Sequence, residues 1–307
     1  MSKYLASKSL VSKLGQYQSL VKFEHTVFAL PFALSAMLLA VNEQGGSGLQ
    51  QWPSLQTTLA VLLAMVGGRT YAMGLNRLID AKIDAENPRT ASREIPAGQV
   101  KQTEAWTIVG ISLIVFTGAT LCLPPICLKL LPIALVILTG YSYVKRFSML
   151  AHLVLGLALA SSAIGGWVAQ TGELSGLSVL FGAVVLCWVS GFDIIYACQD
   201  YSFDQEAGLK SIPVALGLKG ALHASRFLHV LTVVLFSSFV YSYDQTNWWL
   251  WIAVLITAGM LIYEHRLIRG KTQDTPLCFE NINAAFFEMN GKISVAVFCC
   301  VVFSRLF

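Results

Sequence analysis

The chain has 307 residues, of which 55% are hydrophobic and only 12% are charged, and its formal net charge is +4. About a quarter of the residues in a typical soluble domain are charged, so this composition excludes an ordinary soluble protein. The sequence shows no module of interleaved basic and aromatic residues, so the positive charge does not indicate a nucleic-acid partner.

The first 24 residues form a polar segment that does not fit a cleaved signal peptide. Leu10, Leu14, Tyr17 and Val21 fall on one helical face, and lysines lie among the other positions. This pattern predicts an amphipathic helix on the inner membrane surface, with an unstructured tail as the alternative.

Nine apolar segments follow, each near the length of about 20 residues that a transmembrane helix requires. They are continuously apolar and not alternating, which predicts helices and not a β-barrel. The segments lie at residues 25–41, 57–76, 104–122, 126–143, 149–169, 177–197, 220–241, 247–263 and 283–304. The sequence therefore predicts an all-α polytopic membrane protein, with one transmembrane domain over residues 25–307.

The basic residues predict the orientation of these spans. If the N-terminus is cytoplasmic, the segments on that side hold 17 of the 21 Lys and Arg residues. The opposite loops near residues 42–56, 170–176 and 242–246 hold none. Because cytoplasmic loops carry an excess of Lys and Arg, this asymmetry predicts an integral membrane protein with a cytoplasmic N-terminus.

The seven cysteines lie mostly in apolar surroundings and form no C-x-x-C pair, which favours buried thiols over zinc or redox chemistry. Cys122 and Cys127 flank a Pro-Pro pair on the predicted outer side. Whether these two form a disulfide is left open by the sequence.

Two acidic stretches end spans on the predicted cytoplasmic side. In "NRLIDAKID", residues 76–84, a step of four residues turns a helix by only about 40° from its start, so Asn76, Asp80 and Asp84 share one face. In "DIIYACQDYSFD", residues 193–204, the three aspartates also share a face, with Tyr196 beside them. These aspartates are Asp193, Asp200 and Asp204.

Carboxylates near hydrocarbon need a partner. Each costs about 2.5–3.5 kcal/mol on insertion scales, and like charges repel further. A hard divalent cation is the natural partner, because Mg²⁺ binds one or two carboxylates together with substrate phosphates. Two converging faces predict two Mg²⁺ ions that bridge a diphosphate; solvated surface loops are the alternative for either stretch alone.

Basic residues accompany both stretches, and such side chains recognise phosphate oxygens. Those outside the spans are Arg77, Lys82, Arg89, Arg93, Lys145, Arg146 and Lys210. Arg69 lies inside the second span, where a buried ion pair with another helix is the alternative. For Lys145 and Arg146 the alternative is anchoring of the topology.

These stretches resemble the motifs of the UbiA-type intramembrane prenyltransferases, which attach isoprenoid chains to aromatic quinone precursors. "NRLIDAKID" is similar to the family's N-x-x-x-D-x-x-x-D, and "DIIYACQDYSFD" to its D-x-x-Y-A-x-x-D-x-x-x-D. "NPRTASREIPAG", "YSYVKR" and "FFEMN" are similar to further family features, and the resemblance runs from about residue 20 to the C-terminus.

The resemblance implies nine helices around a central cavity capped by cytoplasmic Asp-bearing loops, in a bacterial inner membrane. It implies that the Mg²⁺–diphosphate complex is held by Asn76, Asp80, Asp84, Asp200 and Asp204. Arg69 and Lys145 would contact the diphosphate or the acceptor. The further substrate-binding candidates are Asp193, Tyr196, Tyr141, His25, Arg77, Arg146, Lys210 and Asn290.

The implied reaction moves a polyprenyl group from polyprenyl diphosphate to an aromatic hydroxy acid. Mg²⁺ and basic residues withdraw charge from the diphosphate, the allylic C–O bond ionises, and an electron-rich ring attacks the cation. An apolar cavity keeps water away, and Tyr141, Tyr143 and Tyr196 are candidates for cation–π contacts, with simple packing as the alternative. The prenyl tail would extend into membrane lipid.

One departure from the family pattern leaves the acceptor open. The ubiquinone branch usually begins its first span with an Arg-x-Asp-Lys-Pro-type sequence, whereas this chain reads "KFEHTVFALPFAL". A 4-hydroxybenzoate-type acceptor is the first expectation and a dihydroxynaphthoate of menaquinone synthesis the second. His25 is a candidate contact for the acceptor's carboxylate, or simply an interfacial histidine.

Two other classes are less compatible with the sequence. The CDP-alcohol phosphotransferases need a D-G-x-x-A-R-bearing motif, which the sequence lacks. Ion-coupled transporters tend to place acidic residues near mid-membrane in broken helices, whereas these acids lie at helix ends.

Overall fold

The computed structural model of the chain describes residues 13, 15–21, 26–43, 52–270 and 277–307. The α-helices are α1 (Thr26–Glu43), α2 (Leu55–Ile79), α3 (Ala81–Glu86), α4 (Gln102–Leu121), α5 (Pro125–Val144), α6 (Ala151–Thr171), α7 (Gly176–Ala197), α8 (Tyr201–Glu206), α9 (Ile212–Asp244) and α10 (Trp248–Leu267). The last helix, α11 (Asn290–Leu306), follows a 3₁₀ turn (Phe279–Asn281), a single α-turn (Ile282–Ala284) and a π-helical turn (Ala285–Met289). Within the described ranges, the regular elements are all helical.

Eight helical segments of the described chain are long and apolar enough to cross a membrane. The first helix, α1, has a shorter apolar part, Ala29–Val41. Large apolar side chains cover the outer surface; Ile114, Val136 and Leu255 are 72%, 71% and 70% exposed. The predicted all-α polytopic membrane fold is confirmed, while the ninth crossing and the cytoplasmic side of the N-terminus stay predictions.

Helix α9 is longer than the segment predicted at 220–241. Its first turn is stabilised by Ser211, whose side chain accepts a hydrogen bond from the Val214 N–H, and by Pro213 near the helix start. Gly217 then adopts φ 69° and ψ 169°, a left-handed value of φ that favours glycine, and kinks the helix. The kink separates a short apolar start, residues 212–216, which directly follows Lys210 and Ser211, from the membrane-spanning part of the helix.

Small residues let the central helices approach each other closely. A Cβ atom on Gly166 of α6 would lie 2.3 Å from the carbonyl oxygen of Ala33 in α1. A Cβ on Gly156 would lie 2.6 Å from the carbonyl oxygen of Leu186 in α7. Such backbone contacts are the usual basis of helix association in lipid, and they hold α6 against both neighbours.

We expect Gly166→Ala to lower the unfolding temperature in detergent, because the added methyl group forces α1 and α6 apart at a cost of about 1–3 kcal/mol. Gly165→Ala is the matched control, since a Cβ there has no neighbour within 4 Å. Thermal unfolding of both variants checks this expectation, and equal unfolding temperatures would contradict it.

The described part of the N-terminal segment packs against the protein. Leu20 and Val21 are buried, and Leu20 contacts a small cluster with Val100 and Ala105. The Nε atom of Arg77 donates a hydrogen bond to the Leu20 carbonyl oxygen at 3.3 Å. Leu10 and Leu14 of the predicted amphipathic face lie outside the described residues.

All seven cysteines are free thiols, so the Cys122–Cys127 pairing that the sequence left open does not form. Cys127 is buried between helices, whereas Cys122 is exposed.

Candidate active site

Both acidic stretches contain a helix break at an aspartate. Asp80 ends α2 and begins α3 with φ −92° and ψ 1°, and Asp200 precedes α8 with φ −97° and ψ 6°. The sequence predicts a continuous helical stripe at each place, whereas the chain bends there. The Asp80 N–H still donates to the Asn76 carbonyl oxygen and the Asp84 N–H to that of Asp80, so the three side chains remain neighbours.

One polar cavity of about 210 Å³ brings both stretches together. The predicted site residues that line it are Asn76, Asp80, Asp84, Tyr141, Lys145, Asp193, Tyr196, Asp200, Asp204 and Lys210. They come from α2, α3, α5, α7 and α8 and from the segment before α9. Residues that are more than 100 positions apart in the chain thus line the same cavity.

Three of the cavity's carboxylates are paired with basic side chains. Asp80 contacts Lys145 Nζ at 2.7 Å, and Asp84 contacts an Arg93 nitrogen at 2.6 Å. Arg89 donates two hydrogen bonds to the Asp200 carboxylate, the one from Nε at 2.7 Å. Buried carboxylates are costly without such partners, so these pairs allow the acids to lie at the end of the membrane spans.

Arg89 keeps its positive charge at this place. Burial alone would lower the pKa of its guanidinium, but the hydrogen bonds to Asp200 outweigh that effect and raise the pKa above the ordinary value.

A hydrogen-bond network joins the two stretches to each other. The Asn87 amide nitrogen donates to Asp200 Oδ1 at 3.0 Å, and Asn87 Oδ1 accepts from the Arg89 backbone N–H at 2.9 Å. Arg89 also donates to the Tyr196 hydroxyl at 3.2 Å, and its guanidinium lies over the Tyr196 ring. The segment "NPR" therefore fixes the position of the second stretch.

Several predicted site residues line neither this cavity nor the apolar one beside it. Arg77 is 3% exposed and binds the Leu20 carbonyl oxygen, with a nitrogen 4.0 Å from Asp84. Arg146 lies at the rim, where it donates to the Ile79 carbonyl oxygen and contacts Asp80 at 3.4 Å. Both arginines lie near aspartates of the cavity but do not line the cavity themselves. His25 lies outside the described residues.

Asn290 is fully buried and has a packing role. It accepts a hydrogen bond from the Trp188 indole N–H at 2.9 Å and donates to the carbonyl oxygens of Ala285 and Phe286. It thereby holds the π-helical turn, and Phe286 in that turn packs on the Tyr196 ring with centroids 4.2 Å apart. Asn290 lines neither the polar cavity nor the apolar one beside it, so its substrate contact stays a prediction that these internal hydrogen bonds do not support.

An apolar cavity of about 360 Å³ adjoins the polar one, since Tyr141 and Leu155 line both. Its walls are mainly aliphatic side chains of α2, α5 and α6. Arg69 lies in this wall and not in that of the polar cavity, and its buried Nε atom has no hydrogen-bond partner. Tyr143, by contrast, is exposed and lines neither cavity.

Some polar residues of the cavity are not singled out by the sequence. His152 and Ser142 both line the polar cavity, and Ser142 accepts a hydrogen bond from Asn76 at 3.2 Å. Neither stands in a recognisable spacing with the acids, so only the packing of α5 and α6 reveals them.

A sequence model of the UbiA prenyltransferase family matches residues 26–289. The chain belongs to the UbiA prenyltransferase family. It is therefore a prenyltransferase, as predicted, and membership of the UbiA family removes the transporter and CDP-alcohol phosphotransferase alternatives.

Relatives in the UbiA family cover most of the chain. A 4-hydroxybenzoate octaprenyltransferase of Photobacterium profundum is 26% identical over 302 residues, which are 96% of this chain and 98% of the relative. The enzyme of that name from Vibrio parahaemolyticus is 29% identical over 263 residues, which are 79% of this chain and 88% of the relative.

Solved UbiA structures share the fold. The apo structure of a UbiA homologue from Aeropyrum pernix is 32% identical, with a TM-score of 0.74 over 92% of this chain and 97% of the other. A UbiA homologue from Archaeoglobus fulgidus, bound to GPP and Mg²⁺, is 18% identical, with a TM-score of 0.72 over 94% and 99% of the two chains. The second likeness concerns the fold alone.

Proposed function

We propose that this prenyltransferase transfers a polyprenyl group from polyprenyl diphosphate to a 4-hydroxybenzoate-type acceptor in respiratory quinone biosynthesis, with Mg²⁺ as cofactor. The observation that supports it is the single cavity in which two acidic stretches and several basic side chains meet. The named activity of the relatives supports the acceptor.

The donor set of the cavity fits Mg²⁺. Its acidic ligands are hard carboxylate oxygens, and the buried Asp84 Oδ2 atom has no hydrogen-bond partner. Among the described residues, no group of three His, Cys, Asp or Glu side chains converges as a ligand set. This arrangement suits ions that bind one or two carboxylates each and complete their shell with water and substrate phosphates. Bound Mg²⁺ would act as a Lewis acid on the diphosphate.

Different residues would hold the Mg²⁺ ions and the phosphate groups. Asn76, Asp80, Asp84, Asp200 and Asp204 would supply oxygen ligands to the ions. The basic residues around the cavity, Lys145, Lys210, Arg89 and Arg93, would face the phosphate oxygens. Because five aspartates line the cavity against four Lys and Arg side chains, an anionic diphosphate would enter together with Mg²⁺, which would offset the excess negative charge.

The reaction breaks the allylic C–O bond, forms a C–C bond to the ring and releases diphosphate and the ring proton. The apolar cavity beside the acids would hold the prenyl chain near the breaking bond and exclude water. Tyr141 lies at the junction of the two cavities, where its ring would make a cation–π contact with the allylic cation.

Arg69 is assigned to the acceptor. Its guanidinium lies among aliphatic side chains, and no ion pair of Arg69 is found within the described residues. A cation in such surroundings favours an anionic partner, and the acceptor's carboxylate would supply it. This assignment replaces contact with the diphosphate, because Arg69 does not line the acidic cavity.

The departure from the ubiquinone-branch pattern at "KFEHTVFALPFAL" leaves a second acceptor class open, a dihydroxynaphthoate of menaquinone synthesis. The enzyme would work in the bacterial inner membrane with the N-terminus in the cytoplasm, and its prenyl substrate would enter from the lipid. A soluble diphosphate product then leaves on the side of the basic residues.

We expect transfer to depend strictly on a divalent cation. Purified protein in lipid vesicles would receive one polyprenyl diphosphate and a panel of hydroxybenzoates and hydroxynaphthoates, and prenylated product and free diphosphate would be measured. EDTA should abolish both products, and excess Mg²⁺ should restore them. Product with naphthoates alone would transfer the assignment to menaquinone synthesis, and full turnover in EDTA would contradict the Mg²⁺ model.

A further inference from the structure

His152, at the start of α6, bridges two other elements of the cavity. Its Nδ1 atom lies 2.7 Å from Asp193 Oδ2 in α7, and its Nε2 atom accepts a hydrogen bond from the Ile212 N–H of α9 at 3.4 Å. The side chain of His152 is 6% exposed. One buried ring therefore connects α6, α7 and α9 at the point where all three border the cavity.

These contacts determine which nitrogen of His152 carries the proton. A backbone N–H can only donate, so Nε2, which faces the Ile212 N–H, must be the unprotonated nitrogen. Nδ1 then carries the hydrogen and donates it to the Asp193 carboxylate.

Asp193 differs from the other paired acids of the site. Asp80, Asp84 and Asp200 are each paired with Lys or Arg, whereas His152 is the sole hydrogen-bond or ion-pair partner found for Asp193 within the described residues. Its side chain remains 18% exposed and lines the polar cavity. A carboxylate without a cation repels phosphate but accepts a hydrogen bond from a phenolic O–H.

We propose that His152 is a positioning residue that holds the Asp193 carboxylate toward the hydroxyl group of the aromatic acceptor. This inference rests on the proposed function, because it takes a phenolic ring as the second substrate. His152 itself touches no substrate; it fixes the direction of Asp193 and ties it to the start of α9.

The proton position can be tested without any turnover. In protein labelled with ¹⁵N-histidine, the imidazole signals that disappear in His152→Gln belong to His152. We expect a neutral ring protonated at Nδ1, whose signals shift when Asp193 is replaced by Asn. A cationic ring, a ring protonated at Nε2, or signals unaffected by Asp193→Asn would overturn the proposal.

The kinetic test separates the two substrates. We expect His152→Leu to raise KM for the acceptor by about 10-fold, the usual effect of losing a hydrogen bond to a charged group, and to change KM for the prenyl diphosphate by less than about 2-fold. His152→Gln should restore most of the acceptor affinity, because the Gln amide can donate to Asp193 and accept from the Ile212 N–H. The exposed His223→Leu serves as the control.

Coupling between the two residues completes the test. If His152 acts through Asp193, the double variant His152→Leu/Asp193→Asn should bind the acceptor no worse than Asp193→Asn alone. Additive losses, an equal loss of affinity for both substrates, or failure of His152→Gln to restore binding would overturn the positioning role. The unfolding temperatures of all variants show whether any of them is misfolded. If His152→Leu is misfolded, the acceptor affinity of His152→Gln and the NMR result decide whether His152 positions Asp193. If the wild-type protein prenylates no ring of the panel, the proposed function fails, while the NMR result still decides the contact.

Discussion

Asp80→Asn should lower kcat for prenyl transfer by about 10²–10³-fold while the protein remains folded, a loss typical of removing one group that stabilises developing charge. Asp80 is 2% exposed and lies at the junction of α2 and α3, where it binds Lys145. Asparagine has nearly the same shape but lacks the negative charge, so the proposed Mg²⁺ site loses one negative charge with little change in packing. Single-turnover rates and unfolding temperatures, measured side by side, check both parts of the expectation.

Glu86→Gln is the matched control for Asp80→Asn. Glu86 belongs to the same short helix, α3, but is exposed and does not line the cavity. The Glu86→Gln variant should therefore keep the wild-type kcat. Asp200→Asn should behave like Asp80→Asn, because Asp200 occupies the corresponding helix break in the second stretch. Wild-type activity of Asp80→Asn or Asp200→Asn would falsify the shared-metal model.

Arg69→Met should weaken acceptor binding by about 10–100-fold, the range for a lost hydrogen bond to a charged partner, and leave binding of the Mg²⁺–prenyl diphosphate nearly unchanged. Methionine fills the apolar wall about as well as the aliphatic part of arginine, so the loss would reflect the missing charge. Equilibrium binding of labelled hydroxybenzoate and of prenyl diphosphate, in separate titrations, measures the two affinities.

The control for Arg69→Met is Arg266→Met, at the exposed end of α10, which should change neither affinity. If Arg69→Met reduced the affinity for the diphosphate and spared the acceptor, the acceptor assignment would be wrong. The other contact that the family resemblance implies for Arg69, with the diphosphate, would then be supported.

Much of the fold follows from the sequence because lipid imposes simple rules. Long apolar segments must be helices, and the distribution of Lys and Arg predicts their direction. The limits appear at helix ends. Helix α9 begins at Ile212 and not near 220, because a capping serine and a proline start a short first turn, which the left-handed Gly217 separates from the membrane-spanning part.

The acidic residues of the site are predictable because their spacing has a geometric meaning. Steps of four keep Asn76, Asp80 and Asp84 together even though the helix breaks at Asp80. The sequence does not predict His152 as a site residue, because its contact with Asp193 depends on α6 and α7 lying side by side. Asn290 is the opposite case: its motif-like segment predicts a place at the substrate, whereas its hydrogen bonds are to Trp188 and to the carbonyl oxygens of Ala285 and Phe286.

The network of Asn87, Arg89 and Asp200 has a consequence for enzyme engineering. Asp200 is 113 positions from Asn87 and 111 from Arg89, so residues that act as one unit are encoded far apart. In a chimaera that takes only the segment around Asp200 from another prenyltransferase, the aspartate loop would face the Asn87 amide and the Arg89 guanidinium of this chain. These are not the partners that the loop has in its own enzyme. Exchange of specificity between such enzymes should therefore succeed only when both segments are transplanted together.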